Sequence, residues 1–176
     1  MFNGFHPFLI NVEYANVKKE VFEHQLLIPY FLRTWEQRWY LAAEPDNRHH
    51  GISIFALERM EDISLTKEKM YPTHKITAEE YFDGSFGINH SDDQKPETIR
   101  IKVYDAQVEY VKALPIHDSQ KEVETNPEWS IFEYRLVPCY NFYQQLLWHR
   151  EKLEVLSPQY VREELKASLQ KMLEHY

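Results

Sequence analysis

Phe22-Glu23-His24-Gln25-Leu26-Leu27-Ile28-Pro29-Tyr30, followed by Phe31-Leu32-Arg33-Thr34-Trp35-Glu36-Gln37 and then Arg38-Trp39-Tyr40-Leu41-Ala42-Ala43, is the stretch that decides the fold. Phe22, His24 and Leu26 alternate with Glu23 and Gln25, which is the period of two that a half-buried strand shows. Trp35-Glu36-Gln37 is short enough to turn one strand back on the next at Arg38. Upstream, Ile10, Val12 and Tyr14 alternate with Asn11 and Glu13; downstream, strand-like runs recur at Ile52 to Leu57 and Asp62 to Thr66. The connection from Glu44-Pro45-Asp46-Asn47 to Gly51 is rich in turn formers. Five or six strands with no helix between them suggest a small antiparallel barrel, because closure removes edges that so short a sheet would expose.

Beyond Thr77 the period changes. Thr77 with Glu80 three residues later has the form of a capping box, opening a short helix through Tyr81 and Phe82 that stops near Gly84. Asn89 to Pro96 is polar and poor in apolar residues, so the domain boundary is expected there: a first domain over 1–88, a linker over 89–97 and a second domain over 98–176. The second half reads as strand Thr98 to Tyr104, helix Asp105 to Ala113, strand Gln120 to Glu124, strand Ser130 to Val137, helix Asn141 to His149 and strand Lys152 to Leu156. This β-α-β-β-α-β order is the ferredoxin-like one. Ser157-Pro158 opens a final helix whose Val161, Leu165, Leu169, Met172 and Leu173 form one apolar stripe. The fold class is therefore mainly β plus α+β.

Composition narrows the function. The chain has 176 residues, 43% of them apolar, which is enough for a real core; 27% are charged and no run approaches the length of a spanning helix. A mean hydropathy of -0.61 agrees. No membrane association is expected. Only 4 glycines leave no Gly-rich phosphate loop of the GxxxxGK[ST] or GxGxxG kind. The single cysteine, Cys139, excludes a disulfide framework and a cysteine zinc site, and with no signal peptide it points to the cytoplasm. A net charge of -8 repels phosphate backbones, so a nucleic-acid contact needs a local basic patch.

Catalytic constellations are missing. His49-His50, the one adjacent histidine pair, diverges in a strand or turn and has neither an HExxH pattern nor a cysteine beside it, so no metal site is expected. His117-Asp118-Ser119 holds the residue types of a triad, but a triad converges from separate places and presents its serine on an elbow. No enzyme and no cofactor are expected. Aromatics are more informative: Phe5, Phe8, Tyr14, Phe22, Tyr30, Phe31, Trp35, Trp39, Tyr40 and Phe55 are interleaved with Arg33, Arg38, Arg48 and Arg59. Such a mixture either fills a small barrel or offers bases a stacking platform.

Arg38-Trp39-Tyr40-Leu41, with Leu27-Ile28-Pro29-Tyr30 before it and Phe55-Ala56-Leu57-Glu58-Arg59-Met60 after it, resembles the WYL domain, the sensing domain of a large family of bacterial helix-turn-helix transcription regulators. Phe86-Gly87-Ile88 matches the turn that closes the pattern, and Leu114 to Gln120 and Val155-Leu156-Ser157-Pro158 resemble the family's C-terminal extension. The resemblance implies an Sm-like (SH3-type) small β-barrel followed by a ferredoxin-like extension. It further implies a homodimer that senses a nucleotide or single-stranded nucleic-acid effector and touches DNA only through a helix-turn-helix domain outside this chain. Arg38, Tyr40, Ser53 and Arg59 are the ligand-binding residues it suggests, with Trp39 and Leu41 as the structural part of the motif. Ser53 and Ala56 stand where family members commonly carry arginine, which thins the cationic patch and favours a smaller nucleotide. The alternative is a protein-protein assembly module that senses nothing.

Strand alternation adds two expectations. Trp39 and Leu41 share a face and are expected in the core, leaving Tyr40 to solvent or ligand. Ser53, Phe55, Leu57 and Arg59 are expected on one face, with Arg59 at its end forking an anion or else pairing with Glu58, Glu61 or Asp62.

Overall fold

Alternation and turn chemistry build the first sheet. In the computed structural model, which describes residues 8–18, 20–46, 51–70, 75–90 and 93–176, β1 (Phe8–Ala15), β2 (Phe22–Trp35), β3 (Arg38–Pro45), β4 (Ser53–Ala56) and β5 (Met60–Lys69) form one antiparallel sheet. Their order is β4-β3-β2-β1-β5. Glu36 and Gln37 take φ of 46° and 62° between β2 and β3, the left-handed pair that a two-residue hairpin needs to match the strand twist. The turn fixes the register Trp35↔Arg38, Thr34↔Trp39 and Arg33↔Tyr40. His49, His50, Arg48 and Phe5 lie outside the described residues.

β2 contains Pro29 in its interior. β2 runs straight through the proline because the β2–β3 register slips between Pro29 and Phe31, and a bulge is where a sheet tolerates a residue with no N–H. The core face collects Val12, Leu27, Leu41, Ala43 and Phe55, with Ile10, Tyr14, Leu57 and Met60 packed against them. Leu41 is buried as expected, but Trp39 is 53% exposed, which corrects its expected place in the core. The reason is length: β4 pairs only with Tyr40 to Ala43, so at Trp39 the strand has β2 alone beside it in the sheet and half the residue stays in water.

A second correction concerns Arg59. The strand ends at Ala56, and Leu57–Arg59 is a 3-10 turn leading into β5. Alternation stops there, so Arg59 does not share a strand face with Ser53 and Phe55. The capping box forms as read: Thr77 N donates to Glu80 Oε2 at 2.8 Å and Glu80 N to Thr77 Oγ1 at 3.2 Å, opening α1 (Ala78–Tyr81). Those bonds hold the Glu80 carboxyl below its ordinary range, the backbone N–H of Thr77 foremost.

The chain divides into compact units Met1–Tyr81 and Phe82–Tyr176, so Phe82 to Ile88 fold with the second unit. There β6 (Glu97–Tyr104), α2 (Gln107–Ala113), β7 (Lys121–Thr125), β8 (Trp129–Leu136), α3 (Tyr140–Trp148), β9 (Leu153–Ser157) and α4 (Gln159–Leu173) follow the expected β-α-β-β-α-β order and closing helix. The sheet order β7-β8-β6-β9 puts β6 and β8 at the centre, and Ile99, Ile101, Val103, Phe132, Tyr134 and Leu136 form its buried face. Gly84 ends the turn after α1 with φ of 67°, and its carbonyl accepts from Val137 N at 2.8 Å. Phe86 packs on Phe142 with ring centroids 5.5 Å apart and stacks on the His117 ring at 6.1 Å. The stripe of α4 is covered only at its start: Val161 is buried and Leu165 half-buried, whereas Leu169, Met172 and Leu173 are exposed.

Candidate functional site

Residues directly across an antiparallel ladder share a face, so the hairpin register assembles Arg33 and Tyr40 with Trp35 and Arg38 on one side of β2 and β3. Tyr40 is half-buried and Arg38 exposed. Arg38 Nη1 donates to Glu58 Oε1 at 3.1 Å, which ties the hairpin to the 3-10 turn. Both partners are open to water, so the pair is of the weak, exchangeable kind. Ser53 pairs with Ala43, on the opposite face from Tyr40, and is half-buried at the edge of the core. The fold thus brings Arg38 and Tyr40 together, places Arg59 beside Glu58 on the same turn, and leaves Ser53 apart.

Arg59 ties the turn to the first strand. Its Nε–H donates to the Ala15 carbonyl at 2.8 Å, and its guanidinium lies 4.5 Å from the centroid of the Tyr14 ring. Tyr14 in turn meets Phe55 edge-to-face at 5.1 Å and accepts a hydrogen bond from Ala56 N at 3.1 Å. None of Glu58, Glu61 and Asp62 pairs with Arg59; the carboxylate of Glu58 goes to Arg38 instead. One edge of the guanidinium is thus spent on the fold. Arg33, one of the arginines interleaved with the aromatics, is absent from the ligand-binding set that the resemblance suggested. Its signal was present: a two-residue turn at Glu36-Gln37 makes Arg33 the cross-strand neighbour of Tyr40.

In the second unit the residues of His117-Asp118-Ser119 are arranged for structure. Ser119 N donates to His117 Nδ1 at 3.2 Å, so that nitrogen accepts, and His117 Nε2, 3.2 Å from the Ser85 carbonyl, carries the proton. The Ser119 hydroxyl accepts from Arg135 N at 2.8 Å and lies 2.7 Å from the same Nδ1. Arg135 forks Asp83 through two bonds of 2.8 and 2.9 Å, holding that carboxyl below its ordinary range. Cys139 is half-buried at the start of α3. Among the described residues no three His, Cys, Asp or Glu side chains are placed to hold a metal ion, and no helix is long and apolar enough to cross a membrane.

These features define a protein of two β-rich units, the first offering a cationic and aromatic strand face. The chain carries a WYL domain, whose model matches residues 9–65, and a WCX domain, whose model matches residues 95–173. Both domains belong to regulatory sensing proteins. Among solved structures, a CRISPR Cas-related protein shares the fold at a TM-score of 0.53 and 14% identity, covering 99% of this chain and 49% of its own. Proteasome accessory factor B/C of Arthrobacter aurescens aligns at a TM-score of 0.39 and 14% identity, covering 97% of this chain and 25% of its own. The chain therefore spans about a quarter to a half of the solved chains it matches. Comparison with curated proteins returns no match.

Proposed function

We propose that the chain is the effector-sensing and dimerising region of a cytoplasmic WYL-type transcriptional regulator, and that its effector is anionic: a nucleotide or a short single-stranded nucleic acid. The observation that carries the reading is the carboxylate of Glu58 on Arg38. It marks a spot where an anion already rests on the hairpin, held by an exposed pair that a phosphate can replace. Tyr40 and Arg33 lie on the same strand face, and the outer donors of Arg59 flank the same turn. Operator DNA would be reached through a helix-turn-helix domain outside this chain. The role asks for no cofactor and no catalysis.

Titration with a short single-stranded oligonucleotide and with a cyclic dinucleotide, each at two salt concentrations, tests this. Arg38→Gln should weaken binding about tenfold, equivalent to about 1.4 kcal/mol, and flatten its salt dependence. Equal affinities for wild type and Arg38→Gln, or no binding of either probe, would leave the assembly role without sensing as the function.

A further inference from the structure

We infer that Glu58 is a competitor built into the effector site: its carboxylate occupies the Arg38 guanidinium until a ligand that also stacks on Tyr40 displaces it, so that simple anions are refused and nucleotides admitted. The inference rests on the effector reading above and adds the device that regulates the same site and selects its ligand.

Register puts the carboxylate there. β3 and β4 end their ladder at the pair Tyr40↔Ala56. Two residues further along each chain, Arg38 comes opposite Glu58. The backbone has by then left the ladder, because Leu57–Arg59 is a 3-10 turn, yet the two side chains still meet, with Arg38 Nη1 3.1 Å from Glu58 Oε1. Arg38 and Tyr40 are two apart on one strand and share a face, so the pair forms beside the Tyr40 ring.

The chain is held on both sides of Glu58. Before it, Ala56 N donates to the Tyr14 hydroxyl at 3.1 Å; after it, Arg59 Nε donates to the Ala15 carbonyl at 2.8 Å. Met60 N closes the turn on the Leu57 carbonyl. A fixed backbone therefore presents the carboxylate, which has only its own side-chain torsions to lose on pairing. A group tethered so closely acts at an effective concentration on the order of millimolar.

That competition sorts ligands. A bare phosphate offers Arg38 what Glu58 already supplies, and below the effective concentration of the tethered group it loses. A nucleotide brings the same anion together with a base that can lie on the half-buried Tyr40 ring, and stacking one base strengthens binding about tenfold or more. Both partners of the ion pair are exposed, so it opens readily when such a ligand arrives.

Titration of the full chain with the two probes above, the cyclic dinucleotide and the short single-stranded oligonucleotide, is the test. Glu58→Gln should tighten binding about three- to tenfold, because Arg38 is no longer occupied. Glu61→Gln removes the same charge from β5 and should change affinity less than about twofold. In an Arg38→Gln background, Glu58→Gln should gain no more than Glu61→Gln does. Inorganic phosphate at about 10 mM should compete with either probe in Glu58→Gln and not in wild type. Circular-dichroism melts of Glu58→Gln and Glu61→Gln should match wild type, since both side chains are exposed. Binding of neither probe to wild type or to Glu58→Gln overturns the effector reading and the competitor with it. Probe binding that Glu58→Gln leaves unchanged, that Glu61→Gln tightens equally, that gains as much without Arg38, or that phosphate disturbs equally in both proteins overturns the competitor and leaves the effector reading standing.

Discussion

Replacing Arg59 tests its tie to the first strand. Arg59→Ala removes the 2.8 Å bond from Nε–H to the Ala15 carbonyl and the contact with the Tyr14 ring at 4.5 Å. A hydrogen bond from a charged donor contributes about 1.5 to 3 kcal/mol, and a cation over an aromatic face at a partly exposed site about 0.5 to 1 kcal/mol. Because both act on one side chain they do not add fully, and a loss of about 2 to 3 kcal/mol is expected for the first unit. With a urea dependence of about 1.5 kcal/mol per molar, the midpoint should fall by about 1.3 to 2 M. Trp35 and Trp39 report on this unit by fluorescence once Trp129 and Trp148 are replaced by Phe. Arg59→Lys keeps the charge but not the geometry of Nε, and should lie between the two. If Arg59→Ala unfolds within about 0.5 kcal/mol of wild type, the range of a surface substitution with no structural task, the clasp between the 3-10 turn and β1 is refuted.

In the same denaturation, Trp39→Ala should cost less than about 1.5 kcal/mol, since half the indole is in water, while Leu41→Ala should cost about 2 to 4 kcal/mol. Gly84→Ala should destabilise the second unit by at least about 2 kcal/mol, because φ is 67° and an added Cβ would come within 2.3 Å of Pro96 Cγ; an unchanged melting temperature would contradict this. Acid should act in two steps. Burial lowers the pKa of His149, so the folded state prefers the neutral ring and stability falls as pH drops below about 6.5, the ordinary value; His149→Gln should remove only this step. Asp83, Glu122 and Glu154 are all held below their ordinary values: Asp83 by Arg135, Glu122 by the Ser130 hydroxyl and then Lys112, and Glu154 by the Tyr104 hydroxyl and then Arg162. Their contribution is present above about pH 4.5 and is lost as pH falls through the depressed values, so Glu154→Gln should flatten the lower limb of a stability-pH curve.

What could be read from the sequence is what local rules control. The turn at Glu36-Gln37, the reciprocal bonds of Thr77 and Glu80 and the element order of the second unit each follow from a few neighbouring residues. Burial at Trp39 does not, because alternation assigns a face and says nothing of how far β4 extends to cover it. The place of Arg59 escaped for a related reason: Leu57-Glu58-Arg59 continues an alternating pattern, and only the demand to pass from β4 to β5 turns it into a 3-10 helix. The α4 stripe shows the same gap, with helical spacing legible and the partner for its distal half not encoded nearby.

The residues that belong to the second unit by contact begin before the segment that matches the WCX model, and this bears on how the unit can be isolated. A fragment cut at residue 95 would lose Phe86 from between His117 and Phe142, the Asp83 fork on Arg135 and the carbonyl of Gly84 that caps Val137. It would expose the flank of α3 and leave an N–H of the β8 exit without its acceptor. A fragment begun at Phe82 keeps all three, so the stretch from Phe82 to Asn89 is best treated as the first element of the second unit and not as slack between two modules.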